Sequence, residues 1–210
     1  MPAALTLQSL PLFPLNAVLF PGGLLSLRVF EVRYLDMIGK CRKAGAPFGV
    51  VSLTQGTEVR QPGGHEAFAP VGTLATIQDF EQPQPALMHI RATGQQRFRI
   101  QRHEQLKHGL WVADVEQLPN DLEVPLPDDL QATADALQRL IASLEGKADA
   151  AAALPLQPPW RLDDCGRVAN RWCELLPLPV ALKQRLMELD NPLVRLELVS
   201  DVLTRTGITT

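Results

Sequence analysis

The chain has 210 residues, 46% of them hydrophobic and 20% charged, and its formal net charge is −3 at pH 7. A chain of this length can bury roughly 70% of its unfolded surface, which is enough for one large domain or two small ones. The slightly acidic balance argues against a dedicated nucleic-acid-binding protein, because such proteins usually carry a strong excess of Lys and Arg. All apolar runs are shorter than the stretch of about 18 residues that a transmembrane helix needs, so we predict no membrane span.

The N-terminus and the cysteines indicate the cellular compartment. The first nine residues have neither a basic segment nor a long apolar core, so we do not expect a secretory signal. The three cysteines are an odd number, and their spacing matches no disulfide framework. Because free thiols are typical of a reducing environment, we predict a cytoplasmic protein. The cysteines are Cys41, Cys165 and Cys173.

The first quarter of the chain predicts a strand, a turn, a second strand and a helix. Pro11 and Pro14 hold the Leu-Phe pair between them extended, because proline fixes φ and biases the preceding residue toward β. The sequence Pro21-Gly22-Gly23 is a turn signal. Residues 25–29 alternate between apolar and polar, as in a half-buried strand. The apolar period then changes to that of a helix, which Gly45 is well placed to end.

The next part of the chain, up to residue 118, is rich in strand signals. A strand is predicted over 48–54, followed by a Gly- and Pro-rich loop over 55–70. Farther on we predict strands over 87–92 and 96–102, with Thr93-Gly94-Gln95 as the turn between them, and another over 110–115. Short strands joined by Gly-containing turns, with one early helix, favour a small antiparallel barrel or sandwich.

After residue 118 the pattern becomes helical. Prolines bracket a polar connector, an Ala- and Pro-rich segment covers residues 147–162, and the last helix stops at Gly207. We therefore predict two domains, a β-barrel over residues 1–120 and a small helical bundle over residues 121–210. Three or four helices are expected, with starts at Asp128-Asp129, after Asp163-Asp164, near residue 182 and at Asn191-Pro192, where proline takes the first helical position.

Several motifs resemble one known family. The opening segments LPLFPL, LFPGG and LRVFEVRYL are similar to the start of the Lon N-terminal domain, the substrate-recognition domain of the ATP-dependent Lon protease. Later landmarks follow in order: Phe48-Gly49-Val50-Val51, Gly56-x-Glu58, Val71-Gly72-Thr73 and Gly94-x-x-Arg97-Phe98. One departure is Val32, where the family usually has proline. The resemblance implies a stand-alone member with an α+β fold, in which a PUA-like antiparallel β-barrel (a pseudobarrel) with one early helix precedes a C-terminal helical bundle.

The motif residues are expected to be structural. Five of them are charged residues in an apolar context, and an unpaired buried ion costs several kcal/mol. We therefore expect some of them to form ion pairs or hydrogen bonds that attach the early helix to the barrel. The motif residues are Phe13, Pro14, Phe20, Pro21, Arg28, Phe30, Glu31, Arg33, Tyr34, Glu58, Arg97 and Phe98.

The sequence contains no pattern that indicates catalysis. There is no G-x-S-x-G elbow, and Ser26 is best explained as one polar position of an alternating strand. Gly22-Gly23 leads into a strand, and Gly63-Gly64 has no Lys-Ser or Lys-Thr after it, so no phosphate-binding loop is predicted. The four histidines share no metal-ligand spacing with the cysteines. We expect a non-enzymatic protein without cofactor or metal, lacking the ATPase and peptidase parts of the Lon protease.

By resemblance, the function would be to bind unfolded or exposed apolar polypeptide segments, with a protease or chaperone as a further candidate partner. Three candidate surfaces are the 55–70 loop with His65 and Phe68, the junction between the two domains, and the 147–162 segment with Trp160. The alternative is an RNA-binding module, because a strand with arginines around Phe98 can stack bases. We consider nucleic acid the less favoured partner, and the sequence predicts neither the client nor the oligomeric state.

Overall fold

The structure, a computed structural model, describes residues 5–58, 66–147 and 156–209. The chain divides into two compact units, which we call the β unit (Met1–Asn120) and the helical unit (Asp121–Thr210). Among the described residues, none of the helices combines the length and the apolar content needed to cross a bilayer.

The described part of the β unit, residues 5–58 and 66–120, forms a seven-stranded sheet with one helix. The strand order is β1-β7-β6-β5-β3-β4, and β2 pairs separately with β6. Because β1 also pairs with β3, in parallel, the hydrogen-bonded path returns to its first strand and forms a pseudobarrel. The elements are β1 (Thr6–Leu15), β2 (Leu24–Val29), α1 (Val32–Ala44), β3 (Phe48–Gln55), β4 (Ala67–Phe68), β5 (Val71–Gln84), β6 (Leu87–Gln105) and β7 (Trp111–Gln117).

The predicted order of strand, turn, strand and helix at the start of the chain is confirmed. β1 runs through both prolines of the LPLFPL segment, and its Pro11 pairs with Val112 of β7 in the antiparallel register. The helix α1 ends at Gly45, whose φ of 60° is left-handed, as a glycine C-cap requires. Its buried face contains the residues that the helical period predicted, which are Tyr34, Met37, Ile38 and Cys41.

The turn predicted at Thr93-Gly94-Gln95 is wrong, because these residues lie inside one long strand, β6. Gly94 is needed for close packing and not for a turn. A Cβ atom at this position would collide with the carbonyl oxygen of Phe20. The Gly94 amide instead donates to the carbonyl oxygen of Gly23 at 2.9 Å, so the Pro21–Gly23 turn lies directly against the strand.

Two apolar clusters fill the β unit. The larger lies under α1 and includes Phe13, Tyr34, Ile38 and Phe48, which are at most 7% exposed. The smaller lies on the other side of β3 and is centred on Phe98, which is fully buried. Half-buried residues at the border of this smaller cluster are Leu7, Phe68, Ile100 and Trp111. The α+β class and the pseudobarrel architecture are therefore those that the sequence predicted.

In its described residues, 121–147 and 156–209, the helical unit contains a short 3-10 turn and four α-helices. Its helices begin at the predicted signals: the Asp164 carboxylate accepts from the Arg167 amide, and the Asn191 side chain accepts from the Leu193 and Val194 amides. Pro192 occupies the first turn of the last helix. The elements are the 3-10 turn (Asp128–Leu130), α2 (Gln131–Lys147), α3 (Cys165–Leu175), α4 (Val180–Glu188) and α5 (Pro192–Arg205).

One buried arginine joins the elements of the helical unit. Arg195 of α5 is 1% exposed, and its guanidinium forms a two-point ion pair with Asp121. The same group donates to the Asn170 side chain of α3 at 3.0 Å and to the backbone oxygens of Leu186 in the last turn of α4 and of Leu189 just after it. A guanidinium satisfied on all sides can remain charged in a core, so this residue fixes α3, α4 and α5 together.

Candidate functional site

Arg33 forms a buried polar network at the start of α1. Its side chain is 4% exposed and makes ion pairs with Glu31 at 3.1 Å and with Glu66 at 3.4 Å. It also donates to the backbone oxygen of Gly109, in the turn before β7, at 2.8 Å. Burial opposes the charge, but Tyr34, Glu31 and Glu66 together raise the pKa of Arg33 above its ordinary value. The network attaches the first turn of α1 to two distant parts of the β unit.

Tyr34 and Phe13 support this network from the core side. The two rings stack with centroids 4.0 Å apart and planes within 11° of parallel. The Arg33 guanidinium lies 4.5 Å from the centre of the Tyr34 ring, within cation–π distance. Burial raises the pKa of Tyr34 well above its ordinary value, so the phenol stays protonated at physiological pH. Arg33 is therefore held between carboxylates on one side and an aromatic face on the other.

Glu66 connects the Arg33 network to three aromatic rings, which we call the aromatic cluster: Phe68, His103 and Trp111. One Glu66 oxygen accepts from Arg33, and the other accepts from the Trp111 indole N–H at 2.7 Å. The rings meet edge to face, with centroid distances of 5.1 Å from Phe68 to His103 and 5.4 Å from Trp111 to each of the other two. His103 is exposed and the other two are half-buried, so the cluster presents apolar surface to solvent.

The aromatic cluster lies beside an edge of the sheet. Phe68 belongs to β4, which is last in the strand order, and no other strand of the described ranges 5–58, 66–147 and 156–209 pairs with it except β3. A sheet edge offers backbone groups to an incoming chain, and a nearby apolar surface can bind its side chains. The aromatic cluster therefore lies where an apolar surface adjoins a strand edge.

Comparison with known proteins identifies the family. Residues 9–205 match the family model described as the ATP-dependent protease La (LON) substrate-binding domain. This chain belongs to that family. A Lon N-terminal domain protein from Xanthomonas campestris has a similar structure, with 32% identity and a TM-score of 0.72, over 93% of this chain and 98% of the other. The predicted resemblance is thereby confirmed.

Two further relatives extend the comparison. The N-terminal domain of the Mycobacterium avium complex Lon protease is 18% identical and has a TM-score of 0.57, over 92% of this chain and 97% of the other, which shows the shared fold. Protein cereblon from Danio rerio is 31% identical over 129 residues, which are 60% of this chain and 28% of cereblon. The chain thus spans less than a third of that relative's length. The family match covers a Lon substrate-binding domain, and no catalytic domain is evident in it.

The motif residues shared with the Lon substrate-binding domain occupy different environments. Phe13, Pro14, Phe20, Tyr34 and Phe98 are buried, as expected of structural positions. The remainder are the half-buried Pro21 and Glu31, the buried Arg33 and Arg97, and the exposed Arg28, Phe30 and Glu58.

Phe30 is the exception among the aromatic motif residues, because its side chain is 54% exposed next to Val32, which is 74% exposed. Glu58 is exposed too, but its carboxylate accepts from the Asn16 amide at 2.6 Å.

The three residues proposed for a binding surface fall in different parts of the chain. Phe68 is in the aromatic cluster, Trp160 is half-buried in the helical unit, and His65 lies outside the described residues. Sequence reasoning missed Glu66, His103 and Trp111. Their sequence neighbourhoods contain no motif, and only the tertiary fold brings β6, β7 and the segment around β4 into contact. The short strand β4 also lies inside the segment predicted as a loop.

A shallow pocket of about 190 Å³ lies beside the cluster and is lined by Ser9, Arg102, His103 and Asp114, among others. The Ser9 amide and the Arg102 side chain both donate to the Asp114 carboxylate, and together they lower its pKa. A carboxylate that is ionised and paired in this way is a poor general base. Among the described residues, no group of three or more His, Cys, Asp or Glu side chains could hold a metal ion.

Proposed function

We propose that this chain binds exposed apolar segments of other polypeptides through the aromatic cluster. The observation that carries the proposal is the arrangement of Phe68, His103 and Trp111, three mutually packed rings on the surface beside a sheet edge. Membership of the Lon substrate-binding domain family supports a polypeptide as the ligand. In this proposal the chain holds a client and performs no reaction on it, and a protease or chaperone is the partner that would act on the client.

The support from Glu66 suits the cluster to binding. A ring that is already fixed loses little side-chain entropy when a ligand packs on it, and rigid Trp and Tyr side chains dominate many interfaces for this reason. Trp111 is fixed by the hydrogen bond from its indole to Glu66, and Glu66 is fixed in turn by Arg33. The buried network thus prepares the aromatic surface before any client arrives.

The alternative of RNA binding has less support. The strand that suggested it would need Phe98 to stack on bases, but Phe98 is fully buried in the smaller core cluster. Arg97 is also buried, and Arg102 is paired with Asp114. Arg99 is exposed, but one exposed arginine beside a buried aromatic is not a stacking platform.

The test is a binding titration with a reduced, carboxymethylated model protein, followed by fluorescence anisotropy. We expect His103→Ala and Phe68→Ala each to weaken binding at least about fivefold, since truncated aromatic anchors commonly cost 1 kcal/mol or more. Leu122→Ala is the matched control, because Leu122 is an exposed apolar residue of the helical unit, 78% exposed, and should leave binding unchanged.

Circular dichroism and melting temperature establish that each variant is folded. His103→Ala is the most informative variant, because its ring is exposed and its removal should disturb the fold least. Wild-type affinity in both folded cluster variants would refute the proposed surface. A parallel titration with single-stranded RNA at two salt concentrations tests the alternative, since salt-dependent binding below about micromolar Kd would favour RNA.

A further inference from the structure

A second surface of the β unit, the outer edge of β2, has the properties of a site for strand addition. Among the strands in the described part of the chain, β2 pairs with β6 only. The pairing runs from Leu24 to Val29 through six consecutive pairs without a register shift. Natural sheets usually protect an edge with proline, lysine, a bulge or a very short strand. β2 contains no proline, lysine or bulge, and Arg28 is its one charged side chain.

The hydrogen-bonding pattern shows which backbone groups face outward. Gly94 of β6 donates to the Gly23 oxygen just before β2, so the pair formed by these residues is a hydrogen-bonded one. In an antiparallel pair such positions alternate along the strand. Leu25 and Leu27 therefore direct their amides toward β6. The amides of Leu24, Ser26 and Arg28 point to the open edge.

The side chains of β2 define what an added strand would meet. Leu25 and Leu27 are half-buried and pack against the larger core cluster, whereas Ser26 and Arg28 are exposed on the opposite face. An added strand continues both faces of a sheet. Its residues beside the leucines would be apolar, and those beside Ser26 and Arg28 would be polar.

Charge determines the preferred polar residue. Among the described residues, no carboxylate forms an ion pair with Arg28, and its cross-strand neighbour on β6 is His89. The nearby Arg91 already has a carboxylate partner, Asp79 at 3.6 Å. The edge therefore offers an uncompensated positive charge, and an opposite charge on a neighbouring strand is the favourable cross-strand pair.

We propose that β2 accepts an extended polypeptide segment as an additional strand, with apolar residues at alternate positions and an Asp or Glu beside Arg28. The exposed Phe30 and Val32, directly after β2, extend the apolar contact beyond the strand. The inference rests on the proposed function only for the class of ligand, since it concerns a different surface from the aromatic cluster.

The experiment uses the full chain and labelled peptides of about eight residues that alternate valine and threonine around one central glutamate or lysine. Ser26→Pro removes one outward amide without touching the ladder to β6, and proline is tolerated at such edge positions. Ser26→Thr is the matched control, because it keeps the amide. We expect Ser26→Pro to weaken binding of the glutamate peptide about tenfold or more and Ser26→Thr to leave it unchanged.

Charge reversal gives an independent readout. Arg28→Glu is expected to weaken binding of the glutamate peptide by about 3- to 20-fold and to restore affinity for the lysine peptide. Equal affinities for folded Ser26→Pro and Ser26→Thr would overturn the proposal. So would a homodimer through β2, detected by sedimentation and abolished by Ser26→Pro, because the occupant would then be a second copy of the chain.

A third arm applies if Ser26→Pro does not fold. The wild-type chain is titrated with two peptide series that carry N-methyl groups on odd or on even residues. Loss of binding in one series alone supports strand addition, and equal binding of both series overturns it. The two proposals can fail separately. If binding of the carboxymethylated protein is weakened by Phe68→Ala but not by Ser26→Pro, the proposed function stands and only this inference is refuted.

Discussion

Replacement of Arg33 by Met tests whether the buried network holds the β unit together. Met keeps much of the apolar stem but removes the charge, so Glu31 and Glu66 lose their cation and the Gly109 oxygen loses its donor. Removal of one partner from a buried ion pair costs about 3–5 kcal/mol, because the other charge stays buried and unpaired.

The size of the effect follows from the exposure of the partners. The side chain of Glu66 is 9% exposed and that of Glu31 is 20% exposed, so Glu31 can turn toward water after the substitution. Glu66 also keeps its hydrogen bond from Trp111. We therefore expect a loss at the low end of the range, about 3 kcal/mol, which lowers the urea midpoint by about 1–3 M.

Urea titration with pulsed hydrogen exchange and mass spectrometry reads the two units separately. Peptides from α1 and β6 report on the β unit, and peptides from α3 should not change. Arg28→Met is the control, because Arg28 is exposed and without an ion pair among the described residues, and it should change stability by less than about 0.5 kcal/mol. If the free energy of unfolding of Arg33→Met lies within about 1 kcal/mol of that of Arg28→Met, the reasoning about the network is wrong.

Three further outcomes are expected. Arg195→Met should destabilise the helical unit by about 3–5 kcal/mol in urea titration, because Asp121 loses its buried partner, and a smaller loss than about 1 kcal/mol would contradict this. Burial raises the pKa of Glu174 from 4.5 to about 8, so the folded state binds this proton more tightly and the helical unit should lose stability as pH rises from about 4.5 through 8. Glu174→Gln should flatten this pH profile, whose amplitude we expect to be at most about 5 kcal/mol, and an unchanged profile would refute the assignment. Gly94→Ala should lower the melting temperature of the β unit by several degrees, because its Cβ would displace the preceding turn. Gly146→Ala, a helical position with open space around it, should be neutral or stabilising by about 0.5–1 kcal/mol, and equal effects of the two glycine changes would contradict the packing argument.

Local signals in the sequence predicted the elements well. The prolines of β1, the Gly45 cap of α1, and the Asp164 and Asn191 caps lie where the chain indicated, because each acts on its nearest neighbours in sequence. The error at Gly94 has the opposite cause. A glycine between two β-patterned runs fits either a turn or a close approach, and the contact that decides between them comes from Phe20, more than seventy residues earlier.

The candidate site was less accessible to sequence reasoning. Arg33 stood out as a charge among apolar residues, but its partners Glu66 and Gly109 are distant in sequence and carry no pattern. His103 belongs to no motif and shares no metal-ligand spacing with the cysteines, yet its ring packs on Trp111. Such a site is made by tertiary packing of segments that are distant in sequence, so its members can be named only when the fold is known.

The double pairing of β1 has a consequence for how the protein is made. β1 is bonded on one side to β3 and on the other to β7, whose residues 111–117 follow it by about a hundred positions. At a synthesis rate of about 5–20 residues per second, β7 is synthesised on the order of ten seconds after β1, and one side of β1 stays unpaired during that time. The pairing of β1 with β7, which closes the pseudobarrel, is therefore the last step in the folding of the β unit during synthesis. Until it forms, the unpaired side of β1 is exposed to aggregation or to chaperones.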